Sequence, residues 1–481
     1  MSRRRFQLLA TIVAAVALVA GACSSADDGA KDNSKDTGAN EPATLAVPAK
    51  YKTIQEAVDA ASPGDLVLVS PGTYKEAVNV STENITIRGL DRNKVILDGE
   101  FKLENGIRVL ESGGVVIENM TARNYTSNGF FWTGVDGYRG SYLTAYRNGD
   151  YGVYAFDSVN GQLDNSYASG SPDAGFYIGE CYKCNALIDN VVSEYNGLGY
   201  SGTNSGGDLY ILNSTFRFNR AGIVPNSGSY ELCYPERKTT VVGNLVHSNN
   251  QQDAPGISVS LLAMGNGILV AGGVQNTVER NLVWDHDRTG IGLVPFPEED
   301  ANDLPPAHTE WDTPCSETAD KEVPPIPADK CKSVEGLLKG CVVFWNPFDN
   351  VIKENVIEDS RVADLAVGTV DLLGTGETTE TLGNCFSDNT FKVSAPIGLE
   401  DLAPCGSDGN NGDWNAGALD LLNLMGNPAP KPPDDTYHKT PIPAEQDNMP
   451  KAATAAPAGG FKGPQKVDVS KIAVPEKPAD A

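Results

Sequence analysis

Basic residues are scarce in this chain: 37 Lys and Arg stand against 63 Asp and Glu, for a net charge of −26. A field of that sign repels nucleic acid and anionic lipid, so nucleic acid is excluded as a partner. It also repels uronic-acid polymers unless a cation bridges them. Histidine and methionine are scarcer still, at four and five. His247, His286, His308 and His438 are scattered along the chain, which argues against copper handling. The apolar stretch from Leu8 to Ala20 is too short to span a bilayer comfortably. Long helices are disfavoured by 50 Gly and 30 Pro, a composition that fits short strands separated by bends.

What is present begins with a targeting segment. Arg3, Arg4 and Arg5 precede the apolar stretch, which ends in Val19-Ala20-Gly21-Ala22-Cys23. This run resembles the lipobox of bacterial lipoproteins. The resemblance implies cleavage after residue 22, a diacylglycerol on Cys23, and an extracytoplasmic protein lipid-anchored to the cell membrane. Ser2-Arg3-Arg4-Arg5-Phe6 also resembles a twin-arginine export signal. Residues 23–45 are rich in Ser, Asp, Lys and Gly and read as a flexible tether. Residues 426–481 are rich in Pro, Ala and Lys and read as a disordered or surface-wrapping tail.

Between tether and tail the chain repeats. Gly106, Gly129, Gly152 and Gly175 are each 23 residues apart, as are Gly199 and Gly222, and Gly267 and Gly290. The next residue is always apolar or aromatic: Ile107, Phe130, Val153, Phe176, Tyr200, Ile223, Ile268 and Ile291. About 23 residues make one coil of three short strands and their turns. A second series, Asn119, Asn165, Asn190, Asn213, Asn244, Asn281 and Asn355, runs in step with the first, and Tyr142 breaks it. A buried Asn at a bend satisfies backbone groups and its neighbour's amide in the adjacent coil, while Gly permits a bend where a β-carbon would clash.

These residues resemble the right-handed parallel β-helix repeat family, the pectin-lyase-like superfamily. The resemblance implies an all-β, three-sheet solenoid over residues 46–425. Thr53-Ile54-Gln55-Glu56-Ala57-Val58 predicts a short helix capped by Thr53 that closes the N-terminal end, and Trp414 to Met425 is a candidate for closing the other. Insertions fall around Asn249 to Gly265 and from about 295 to 345, and long loops on a rigid solenoid are where function usually sits.

Eight cysteines remain if Cys23 is lipidated: Cys181, Cys184, Cys233, Cys315, Cys331, Cys341, Cys385 and Cys405. An even number outside the cell suggests disulfides. Connectivity is open, and the nearest-neighbour guesses are Cys181–Cys184, Cys315–Cys331 and Cys385–Cys405. Cys181-Tyr182-Lys183-Cys184 has no second Cys-x-x-Cys to complete a zinc site, so a loop disulfide is favoured over a redox or metal motif.

Strand alternation places Phe131, Tyr154 and Tyr177 on the outer side of one face, one coil apart. They predict an exposed aromatic row that stacks on sugar rings. The competing reading is a row covered by a loop, or one that only stabilises the sheet. Trp284-Asp285-His286-Asp287-Arg288 is the densest polar cluster on a coil. With Arg220 from an equivalent turn, Asp285, His286, Asp287 and Arg288 supply an acid, a base and a cation for polysaccharide chemistry. The Asp285-His286-Asp287 core is similar to the Asp-Pro-His-Asp motif of alginate epimerases, without its proline. The alternative is a solvated turn, since Phe218 to Gly222 fills the equivalent turn without a histidine. Carboxylate pairs such as Asp164 and Asp189 are easy to find among so many acids and prove little. Clustered polygalacturonase aspartates and the downstream methylesterase motif are absent. Ca²⁺ is a possible cofactor on so acidic a surface, although no EF-hand spacing appears. The preferred expectation is a cell-surface protein that binds polysaccharide or cell-wall glycan along the solenoid. A polysaccharide lyase, epimerase or hydrolase is the alternative, and a structural or protein-interaction module the third.

Overall fold

A computed structural model of the chain describes residues 41–298, 315, 343–368 and 382–479. Cys23 and the rest of the targeting segment lie outside the described residues, as do Cys331 and Cys341. The repeat winds into a parallel β-helix with three faces per coil. The first face stacks strands such as Leu66–Val69, Thr86–Gly89, Ala186–Asp189 and Thr277–Glu279; the second stacks Val95–Asp98, Tyr167–Ser169, Leu245–His247 and Val356–Ser360. The third is an eleven-stranded sheet running from Val78–Val80 to Ser394–Ala395. Val115–Arg123 and Asp136–Tyr146 pass unbroken from the first face to the second, so those two faces join into one 20-stranded sheet. The expected three sheets are therefore three faces of two hydrogen-bonded sheets.

The corner between those faces explains the asparagine series, and corrects it. One residue per coil turns the chain in the left-handed region: Tyr142 (φ 52°), Asn165 (49°), Asn190 (54°), Asn213 (48°), Gly243 (69°) and Arg280 (51°). Asn tolerates that conformation better than most residues. A different column, one position later, carries the buried amides. Ser214 N–H donates to Asn244 Oδ1, Asn244 N–H to Asn281 Oδ1 and Asn281 N–H to Asn355 Oδ1, each at 3.0 Å. Asn190 and Asn213 are exposed, not buried. The series read as one ladder is thus two adjacent columns, and Tyr142 belongs to the first without breaking it.

The marker glycines answer to a close approach between coils. A β-carbon on Gly199 would lie 2.7 Å from the Gly222 carbonyl oxygen and 2.9 Å from Asn219 Nδ2. That Asn belongs to another buried ladder: Asn196 N–H donates to Asn219 Oδ1 at 3.0 Å, and Asn219 N–H to Asn249 Oδ1 at 3.1 Å. Glycine leaves the room that the amides fill. The residue after each marker glycine points inward, and all eight, from Ile107 to Ile291, are buried in one continuous core.

The ends are closed as patterned at one side and differently at the other. Ile54–Asp59 forms the N-terminal cap helix, with Thr53 accepting a hydrogen bond from Glu56 N–H and Ile54, Ala57 and Val58 buried. At the far end Leu399–Leu402 closes the core through fully buried Leu399. Trp414 packs there too, but helix Leu421–Gly426 lies against the third face, where Leu421 meets Ala363, Ala366 and Ala395.

The tail resolves the expectation of disorder or wrapping in favour of wrapping. It runs back along the solenoid, where Thr440 O accepts from Arg147 and Gln446 N–H donates to Asn93 Oδ1. It then returns across the first face. Ala455 and Ala456 carbonyls accept from buried Arg88, Val467, Val469 and Ile472 pack on Leu187, Leu212 and Val242, and Arg280 holds the Val469 and Ile472 carbonyls. Few large side chains are needed, because the solenoid supplies the donors.

Candidate functional site

The Trp284–Arg288 cluster does not assemble. Trp284 is buried and stacks on His247, with ring centroids 4.1 Å apart. Asp285 turns outward at φ 59° and accepts from Ser248 Oγ at 2.7 Å. His286 points into the core at the end of the Asn196–Asn219–Asn249 ladder, with Nε2 3.2 Å from Asn249 Nδ2. Burial pushes its pKa down to about 3, helped by nearby His247. Asp287 faces solvent and pairs with Arg361 at 3.0 Å. Arg288 is tied to the Leu262 and Asn427 carbonyls. Arg220 is buried and spends its donors on Gln252, Ala254 and Pro255 carbonyls, holding the insertion that carries helix Ser258–Ala263. The five residues point to separate surroundings, and the catalytic grouping expected of them is not formed. Asp164 and Asp189 are in register on the first face, but Asp164 is taken by Arg139 at 2.8 Å.

The aromatic row does form. Register pairs Phe131 with Tyr154 and Tyr154 with Tyr177, and the ring centroids lie 4.8 and 4.7 Å apart. Two further rings join: Tyr151 stacks on Tyr154 at 4.3 Å and 15°, and Phe156 lies 5.9 Å from Tyr154. Phe131, Tyr151, Tyr154 and Phe156 are partly exposed. Tyr177 is the exception: it is 1% exposed, because the loop between Asn226 and Arg237 lies over it and its O–H donates to Glu231. The expected open row is therefore a platform open at Phe131 and Tyr154 and roofed at Tyr177.

Acids gather round this platform. Tyr151 O–H donates to Asp173 at 2.7 Å. Burial pushes the Asp173 carboxyl up to about 7. Burial also lifts Glu231 well above the usual carboxylate range, against the hydrogen bond from Tyr177. The Tyr154 phenol is raised by burial and then by Glu231, Asp173, Glu180 and Asp150. Raised carboxyls beside partly exposed rings make this face the candidate site. The roofing loop is firmly held. Cys233 is bonded to Cys315, Ser229 donates twice to Glu298, and Asn204 Nδ2 donates to the Glu231 carbonyl at 2.7 Å. Cys181–Cys184 and Cys385–Cys405 form as guessed, while the Cys315–Cys331 guess is replaced by Cys233–Cys315. The segment from 295 leaves the solenoid as an antiparallel stem in which Phe296 pairs with Trp345. Among the described residues no group of three or more His, Cys, Asp or Glu is placed to hold a metal ion.

Sequence reasoning found the three row residues and missed Tyr151, Asp150, Asp173 and Glu231. The roofing loop left a readable signal. The ladder step from Ser214 to Asn244 is 30 residues where the step from Val191 to Ser214 is 23, so an insertion precedes Asn244 as well as following it. The burial of acids beside the rings left none.

Residues 79–294 match the family model described as a right handed beta helix region. No curated protein matches the chain. Among solved structures, the A-module of Azotobacter vinelandii mannuronan C-5 epimerase AlgE4 aligns at 14% identity and TM-score 0.39, over 74% of this chain and 93% of that one. Alginate lyase from Paenibacillus sp. str. FPU-7 aligns at 16% and 0.36, over 52% and 90%. Pectate lyase Pel9A aligns at 11% and 0.37, over 79% and 88%. At those values the likenesses say nothing about this chain's chemistry.

Proposed function

The chain is a right-handed parallel β-helix, and from that premise we propose that it binds a glycan along its third face, lipid-anchored outside the cell through Cys23. The observation that carries this reading is the partly exposed ring platform of Phe131, Tyr151, Tyr154 and Phe156, held at coil spacing by the fold. Flat rings with one open face stack on the apolar faces of sugars, and a solenoid repeats them along the direction in which a polymer runs. The first face is unsuited to this role, since the tail occupies it.

Retention of the purified protein on immobilised cell-wall and exopolysaccharide fractions tests the reading. Phe131→Ala with Tyr154→Ala should abolish retention while the fold persists; wild-type protein that is retained on no fraction would reject it. Cys23→Ala should move the protein from the detergent phase to the aqueous phase on detergent partitioning; an unchanged partition would reject the anchor.

A second reading, a carbohydrate-active enzyme, is favoured by the raised carboxyls of Asp173 and Glu231, of which Asp173, pushed up to about 7, suits proton transfer near neutral pH. Under it, release of shortened or modified glycan depends on those two acids and is indifferent to Asp285, His286 and Arg288.

A further inference from the structure

Resting on the glycan reading above, we propose that the glycan continues off the third face into a second subsite, where a hydroxyl-rich sugar unit stacks on Tyr195 in a cavity between the tail and the solenoid. The cavity is about 410 Å³, within the size range of small-ligand sites. Tyr195, Gln251 and Asp253 line it from the solenoid side, and Thr436, Lys439 and Thr440 from the tail. Both walls are tied down. Arg147 Nε donates to the Thr440 carbonyl at 2.7 Å, and Arg220 Nε holds the insertion through the Ala254 carbonyl at 2.9 Å. The space between them is therefore set by the fold.

Tyr195 turns the corner between the second and third faces at φ 58° and is partly exposed. Phe218, from the next coil, stacks against one side of its ring, with centroids 5.6 Å apart and planes inclined by 21°. The corner residue of the preceding coil is Gly170, whose N–H donates to the Tyr195 carbonyl and which brings no side chain to the other side. A ring backed on one side only suits the apolar face of a sugar. Groups for hydroxyls stand around it. The Gln251 amide both donates and accepts, Asp253 is an exposed acceptor, and Lys439 keeps N–H donors beyond the one that meets Asp435 at 3.0 Å. The platform is within reach. Strand Tyr151–Phe156 pairs with Ala174–Gly179, and that strand with Leu198–Thr203, which follows Tyr195 in the same coil. Tyr195 therefore lies two coils, about 10 Å along the axis, beyond the Tyr151 and Tyr154 rings.

Calorimetry on the full chain reads the second subsite as a dependence on ligand length. The probes are size-graded oligomers cut from the cell-wall or exopolysaccharide fraction that retains the protein. Tyr195→Asn removes the ring with a residue that tolerates the left-handed corner. Thr436→Trp fills the cavity from the tail and leaves the solenoid's own side chains in place. Wild-type affinity should rise by about 3- to 10-fold once an oligomer is long enough to reach past the platform into the cavity. Both variants should lose that rise and bind the shortest oligomers as wild type does. Phe131→Ala, on the platform, should instead weaken short and long oligomers by the same factor. Wild-type affinity that is independent of length, or a rise that survives in either folded variant, overturns the subsite and leaves the glycan reading standing. If no fraction retains the protein, that reading has failed and the subsite with it.

Discussion

Replacing His286 with Asn separates a structural role from a catalytic one. His286 stands where an Asn stands in the preceding coils, below Asn196, Asn219 and Asn249. An Asn there keeps an acceptor for Asn249, so stability near pH 7 should change by no more than about 1 kcal/mol. The pH dependence should change more. The folded histidine titrates at about 3 and the free residue at 6.5. The unfolded chain therefore takes up a proton first as pH falls, and the histidine's contribution to stability, full above pH 6.5, is lost progressively toward pH 3. At pH 4.5 two pH units of linkage correspond to about 3 kcal/mol. Urea denaturation at pH 7 and pH 4.5, with disulfides intact, should show wild type losing that much more than His286→Asn. Glycan binding should be unaltered. A variant that folds equally well but loses binding or turnover would refute the placement of His286 in the ladder. Equal acid sensitivity in the two proteins would refute its burial as a neutral imidazole.

Two further substitutions probe the coil contacts and the tail. Gly199→Ala forces a β-carbon to within 2.7 Å of the Gly222 carbonyl and 2.9 Å of Asn219 Nδ2, and should cost about 1–3 kcal/mol by overpacking; urea denaturation checks it, and a neutral result would mean the coils are free to separate. Arg88→Ala leaves Glu118, 1% exposed, without its 2.7 Å partner and frees the Ala455 and Ala456 carbonyls. It should cost about 3–5 kcal/mol and open the tail to limited proteolysis; a tail that stays protected would show that other contacts hold it.

Much of the fold was legible because it repeats. Each coil restates the same packing problem, so Gly199 and Gly222 announce the spacing, and Tyr200 and Ile223 the inward direction. The corners were legible only in part. A left-handed turn and a buried amide ladder both favour Asn, and columns one residue apart merge in a linear reading: Asn213 belongs to the first and Asn244 to the second. The polar cluster at 284–288 misled for a related reason. Strand alternation sends Asp285 out and His286 in, and the ladder chemistry that makes His286 useful inside the core resembles a motif when read as letters. The acids of the platform were silent. Asp173 and Glu231 are drawn together by a loop that crosses between coils, and nothing local in the sequence distinguishes them from the other carboxylates.

The central claim is that the third-face platform is where this protein meets a glycan, and binding by the Phe131→Ala, Tyr154→Ala double variant tests it most directly. Each ring lost removes a stacking surface worth about 0.5–1.5 kcal/mol beyond its buried area, so the predicted result is a loss of at least tenfold in affinity for the retained glycan, in a protein that has lost some stability with its ring contacts but remains folded at the assay temperature. Undiminished affinity in a folded double variant would contradict the account.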